Sequence, residues 1–189
     1  QHLLVPRQRP ASVTGVTDRV RTGHGNMYVN INFDEAGRPF EVFTNMGKAG
    51  GCDAAHLDGL SRLISLALRS GIDPAQVALV IMTHLHYDHA GNSDLYPNAR
   101  FLLQTAEWEF ANGPDMTDPL QGAHYEAEDL ARFQALLDTG RLELIEGEAH
   151  PLPGLSLHLV GGHTPGQMVL RVEGPSGPVV LASDALHFY

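Results

Sequence analysis

The 189-residue chain has one cysteine, Cys52, and no long apolar run. A single thiol excludes an internal disulfide and a zinc cage built from cysteines, so any metal site must use nitrogen and oxygen ligands. It also suits a reducing compartment. No stretch approaches the roughly 20 apolar residues that span a bilayer, and the opening QHLLVPRQRP has no apolar segment followed by a small-residue cleavage site. These absences predict a cytoplasmic protein with no membrane partner. Positive charge is scarce as well, with 12 Lys+Arg against 22 Asp+Glu. The deficit lies at the back: residues 1–76 carry 8 against 7, whereas residues 77–189 carry 4 against 15. An acidic surface repels phosphate backbones, which argues against a nucleic-acid partner.

What is present is an ordinary globular composition, 43% hydrophobic and 18% charged, enough for one domain with a real core. Residues 1–21, with Arg7 and Arg9 between prolines, read as an extended, solvated basic segment. Residues 27–44, MYVNINFDEAGRPFEVFT, hold two β-type runs around a DEAG turn and predict a hairpin. After the glycine-rich GKAGGC loop, Leu57, Leu60, Leu63, Ile64, Ala67 and Leu68 recur at three- and four-residue steps. They predict an amphipathic helix over about 53–70, ended by Gly71. Val77–Met82 is a short apolar run typical of a strand covered on both faces. Strands are predicted at 100–104, 142–145, 155–160, 168–172 and 179–182, with a helix over 127–137.

The strand at 77–82 ends in THLHYDHAGN, residues 83–92. Histidines two apart on an extended backbone point the same way, so His84 and His86 can grip one ion together. Asp88 and His89 follow after a turn and can face the same pocket. GGHTPGQ, 161–167, offers His163 on a loop directly after another strand, and LASDA offers Asp184 in the same manner. Open α/β sheets place ligand sites at such strand ends. Imidazole and carboxylate suit Zn2+, with Fe or Mn possible at the same ligands.

THLHYDHAG, GGHTPGQ and SDA resemble the metal-binding motifs of the metallo-β-lactamase superfamily over about residues 71–189. The resemblance implies an α/β, αββα-sandwich fold, with His84, His86 and His163 holding one metal. Asp88 and His89 would hold a second, and Asp184 would bridge. The family's last histidine has no counterpart before Tyr189, so the fold is expected to be incomplete at the C-terminus and the site to hold one or two ions. LLQTAEWEFA, GHTPGQ and SDALHFY are most similar to the N-acyl-homoserine lactonase branch, in which a tyrosine after the bridging aspartate polarises the substrate. His187 and Tyr189 are the candidates for that role. Residues 22–73, above all EVFTNMGKAGG and RLISLALRSG, resemble instead the C-terminal region of adenosylcobalamin-dependent ribonucleotide reductases. His24 stands where a cysteine is expected. The division implied is a basic segment at 1–21, a reductase-like β-hairpin and helix at 22–76 and a metal-binding part at 77–189, with 22–189 as one composite domain. Leu60, Leu63, Ile64 and Leu68 are expected to be buried under a sheet.

A divalent cation lowers the pKa of bound water toward about 7. Hydroxide could then attack a lactone, ester or thioester carbonyl, with Asp88 as the proton carrier. A small molecule is the expected substrate partner, and a homo-oligomer is possible. Two other classes stand beside the hydrolase: a weak or inactive metal-binding chimera or fragment, with natural or engineered join, and a reductase-derived accessory module.

Overall fold

The computed structural model describes residues 5–22, 25–46 and 52–186. It divides into two compact units, residues 1–73 and 74–189.

In the first unit, β1 (Thr14–Thr22), β2 (Gly25–Phe33) and β3 (Pro39–Asn45) form an antiparallel sheet in the order β1-β2-β3, followed by α1 (Cys52–Arg69). The DEAG turn joins β2 to β3 as expected. Asp34 Oδ1 accepts the amides of Ala36 and Arg38, and Gly37 supplies the left-handed backbone (φ +74°) that the turn requires. The expectation of a solvated tail over 1–21 needs correction. Thr14–Thr22 pairs along its length with β2, because Val16 and Val20 alternate with Thr17, Arg19 and Arg21 at the strand period. Arg7 and Arg9 are not free either: Arg7 pairs with Asp34 at 2.5 Å and Arg9 with Glu41 at 2.9 Å.

A second correction concerns α1. Leu60, Leu63 and Ile64 are exposed, Leu63 at 65%. The helix meets β3 through a polar stripe instead. Ser65 Oγ accepts the Val42 amide at 2.9 Å and donates to the Val42 carbonyl at 3.1 Å, while Ser61 Oγ lies 2.7 Å from Thr44 Oγ1. β3 is an edge strand, and its outward backbone groups need hydrogen bonds that leucines cannot supply. Leu68 has the helix-end role of offering its carbonyl to the Arg7 guanidinium and the Gly71 amide.

In the second unit, β4 (Leu79–Ile81), β5 (Arg100–Gln104) and β6 (Leu142–Ile145) form a parallel sheet. The helix α2 (Tyr87–Ala90) follows β4, α3 (Thr105–Ala111) follows β5, and α4 (Pro119–Gly122) and α5 (Ala127–Asp138) precede β6. An antiparallel sheet of order β10-β9-β8-β7 comes next, with β7 at Ala149–Leu152, β8 at Leu155–Leu159, β9 at Met168–Gly174 and β10 at Gly177–Leu181. The alternation along β5 divides the core. Phe101 and Leu103 pack with Met82, Leu85, Phe133, Leu136 and Leu142 under the helices. Leu102 faces the other way, onto Leu157 and Met168 of the antiparallel sheet. Phe101 and Phe133 meet edge to face at 5.8 Å. The expected strands and α5 are found, and so is the expected mixed α/β class. Within this unit β7 is the unforeseen strand: its AHPL carries a proline, which an edge position tolerates.

Candidate metal centre

β4 runs straight into the histidine segment. Leu85 is fully buried in the helix-side core, so its two neighbours turn the opposite way. His86 then caps α2 with its carbonyl, which accepts the amides of His89 and Ala90. This tight turn brings the His89 ring to 4.1 Å from that of His84. The His163 loop needs Gly161 and Gly162 in left-handed conformations (φ +65° and +92°), and it closes through the Gln167 carbonyl, which accepts the amides of Val160 and Gly161. At the third strand end, Ser183 takes a positive φ of 49° and its hydroxyl lies 3.1 Å from that of Thr83. Asp184 follows.

Three strand ends therefore meet. His163 Nε2 lies 3.0 Å from His86 Nδ1. Asp184 Oδ2 lies 3.0 Å from His89 Nε2, 3.5 Å from His84 Nε2 and 3.6 Å from His163 Nε2. Two groups have ligand atoms all within 4.8 Å of one another: His84, His86 and His163, and His84, His89 and Asp184. Asp88 is in neither. Its side chain is 59% exposed and its Oδ2 stands 3.7 Å from His89 Nε2, at the rim. His187 and Tyr189 lie outside the described residues.

The electrostatics favour neutral imidazoles. Burial, and then the neighbouring His89 and His86, push His84 down to about 3. Burial, and then His163 and His124, push His86 down to about 4. Both rings keep a lone pair available at neutral pH. His84 Nε2 is buried with no hydrogen-bond partner among the described residues. An unsatisfied buried nitrogen is costly unless something fills the space beside it. Imidazole nitrogens converging with one carboxylate fit a borderline divalent cation such as zinc, and iron or manganese accept the same donors.

Two further residues contribute without a motif of their own. The His124 ring is 5.0 Å from that of His86 and its carbonyl accepts the Tyr87 amide. Glu107 is fully buried beneath the histidine loops. Neither residue lies in a spaced motif that could have announced it.

Two packed sheets with an imidazole and carboxylate cluster at their strand ends make an α/β sandwich whose cluster could hold a metal ion. Residues 51–189 match the family described as the Metallo-beta-lactamase superfamily, and the chain belongs to that superfamily. Residues 4–93 match the TSCPD domain, overlapping the first match over 51–93. For the front part, the finding is this TSCPD likeness. Among relatives, an N-acyl homoserine lactonase of Bacillus sp is 32% identical over 125 residues, covering 66% of this chain and 44% of the relative. The N-acyl homoserine lactonase AttM of Rhizobium radiobacter is 32% identical over 165 residues, covering 81% and 59%. This chain thus spans under half the length of the Bacillus relative. A probable metal-dependent hydrolase from Staphylococcus aureus shares the fold with a TM-score of 0.54 at 21% identity, over 85% of this chain and 59% of that one. AidC, a dizinc quorum-quenching lactonase, shares it with a TM-score of 0.52 at 14% identity, over 92% and 76%. No described helix is long and apolar enough to cross a membrane.

Proposed function

We propose that the chain is a metal-dependent hydrolase acting on a lactone, with esters and thioesters as the neighbouring substrate class. The observation that carries this reading is the convergence of Asp184 Oδ2 with His84, His89 and His163 at 3.0 to 3.6 Å, beside a buried His84 Nε2 with no hydrogen bond. The lactone preference is supported by the similarity to N-acyl homoserine lactonases.

In this reading His84, His86 and His163 hold one ion, most simply Zn2+. His89 and Asp184 serve a second, with Asp184 shared and Asp88 at its rim. A bound divalent cation supplies acidified water and polarises the carbonyl oxygen. The chain's residues do the rest. Burial keeps His84 and His86 neutral, so they offer lone pairs and do not compete for protons. Asp88, exposed at the rim, takes a proton from the attacking water and returns it to the leaving oxygen. His187 and Tyr189 are proposed to contact the substrate. Residues 22–76 are proposed as a TSCPD-like module carried in the same chain as the metal-binding part, 77–189.

A second reading is metal binding without turnover. The position of Asp88 outside both groups favours it. One assay separates the two: the zinc-loaded full chain is given an N-acyl homoserine lactone, an aryl ester and a thioester, and acid release is followed. The hydrolase reading expects lactone opening, with Asp88→Asn slowing it about 100- to 10,000-fold at unchanged zinc in the three-histidine group. A zinc-loaded chain inert toward all three substrates would establish the second reading.

A further inference from the structure

Glu107 is the one fully buried carboxylate among the described residues, and it lies below both histidine-bearing loops. Its partners are donors from three separate segments. Oε1 accepts the Leu85 amide at 2.9 Å and the Tyr125 hydroxyl at 2.9 Å. Oε2 accepts the Thr164 hydroxyl at 2.5 Å and the Gly166 amide at 3.2 Å. Leu85 sits between His84 and His86, and Thr164 follows His163, so each oxygen holds one of the histidine loops. Tyr125 adds a ring 4.9 Å from that of His86. The approach is close enough to need a glycine: a Cβ at Gly166 would collide with the Glu107 backbone and its Cβ.

We infer that Glu107 is a positioning residue that sets the spacing between the His84–His86 segment and His163. Of the four hydrogen bonds this buried carboxylate accepts, those from Leu85, Thr164 and Gly166 fix both loops to the start of α3, and a charged acceptor binds such donors more strongly than a neutral one. The role is orientation, since Glu107 belongs to neither cluster of ligand atoms. The consequence for metal rests on the reading of the site given above; the brace itself does not.

The test uses the full chain and two readouts. Metal-free protein is compared by hydrogen exchange at the Leu85 and Gly166 amides, and the same samples are titrated with Co2+ while the visible d–d band is recorded. Glu107→Gln preserves size and one acceptor but turns an NH2 group toward two of the four donors. It is expected to speed exchange at Leu85 and Gly166 together, to weaken Co2+ binding about 10- to 100-fold and to alter the band. Thr164→Val, which removes one donor, is expected to show a smaller loss, and Glu107→Ala a larger one that Gln partly rescues. Wild-type exchange at both amides in Glu107→Gln overturns the brace. Faster exchange with an unchanged Co2+ affinity and band overturns its role in spacing the histidines. If the wild type takes up no Co2+, the metal reading fails, and exchange confined to the two amides still supports the brace whereas uniform loss of protection overturns it.

Discussion

The two units of this chain are held together by different means. Among the described residues of the front unit, Phe40, Glu41 and Ser61 are the buried side chains, while Val16, Val20, Tyr28, Phe43 and Leu63 lie exposed. Cohesion there runs through polar atoms. Arg7 and Arg69 stack over the Phe40 ring at 5.0 and 5.7 Å; the Arg7 amide donates to the Arg69 carbonyl and Arg69 Nε donates back to the Arg7 carbonyl, and Ser65 closes the edge of β3. The back unit buries two apolar clusters on either side of β5. Burying a large apolar side chain is worth about 1.5–3 kcal/mol, whereas a typical hydrogen bond nets about 1 kcal/mol. The back unit can therefore hold a costly constellation of polar groups at its strand ends. The front unit carries no comparable reserve in its described residues.

Acid should divide the units most sharply. In metal-free protein His84 and His86 titrate at about 3 and about 4 when folded, against an ordinary value of 6.5. Between 6.5 and those values the unfolded chain binds protons that the folded chain does not. Stability of the back unit thus falls as the pH falls through that window, by about 1.4 kcal/mol per pH unit for each imidazole. In the front unit, hydrogen bonds from Arg7 and then Arg38 hold Asp34 below its ordinary value of 3.8. Burial raises Glu41, but hydrogen bonds from Arg9 and Asn32 outweigh it and leave the carboxyl below 4.5. Those contributions are fully present above the ordinary values and are lost as the pH drops below them. Trp108, the single tryptophan, lies in α3 and reports on the back unit alone. Its fluorescence should change above pH 4 while the β2–β3 amides remain protected. Simultaneous loss of both signals would mean that the two units unfold together.

Substitutions act on one unit at a time. Phe133→Ala empties a fully buried ring and should cost about 3–5 kcal/mol, read as a lower urea midpoint of Trp108 fluorescence. Arg9→Ala leaves the almost buried Glu41 without its cation and should cost about 1–3 kcal/mol, seen in exchange at β2 and β3 with Trp108 unmoved. Leu63→Ser should change stability by less than about 0.5 kcal/mol, because the side chain is already exposed. A large loss in that last variant would mean that the apolar face of α1 is covered after all.

In the back unit, period-2 strands and one cluster of ligating residue types are local signals, and β5, β6 and α5 fall where the pattern puts them. The meeting of His84, His89, His163 and Asp184 could be expected because each follows a strand. Glu107 could not. Within TAEWEFA it looks like a helix-surface charge, and its burial depends on Leu85 and Thr164, which lie 22 and 57 residues away. The front unit misled the pattern in a different way. The leucine stripe of α1 is the stronger periodic signal, yet the serine stripe beside it matches what an open strand edge demands. β1 was hidden because charged residues occupy the outward positions of a strand as readily as those of a tail.

The three strand ends are proposed to hold one cation. The most direct measurement is zinc content by elemental analysis after equilibrium dialysis and desalting, on the unaltered chain, His163→Ala and His150→Ala. His150 pairs with Glu148 on exposed surface, away from both ligand groups. At least one equivalent in the unaltered chain and in His150→Ala, with near-complete loss in His163→Ala, is expected; equal zinc in all three, or none in any, would mean that His163 is not a ligand of a bound ion.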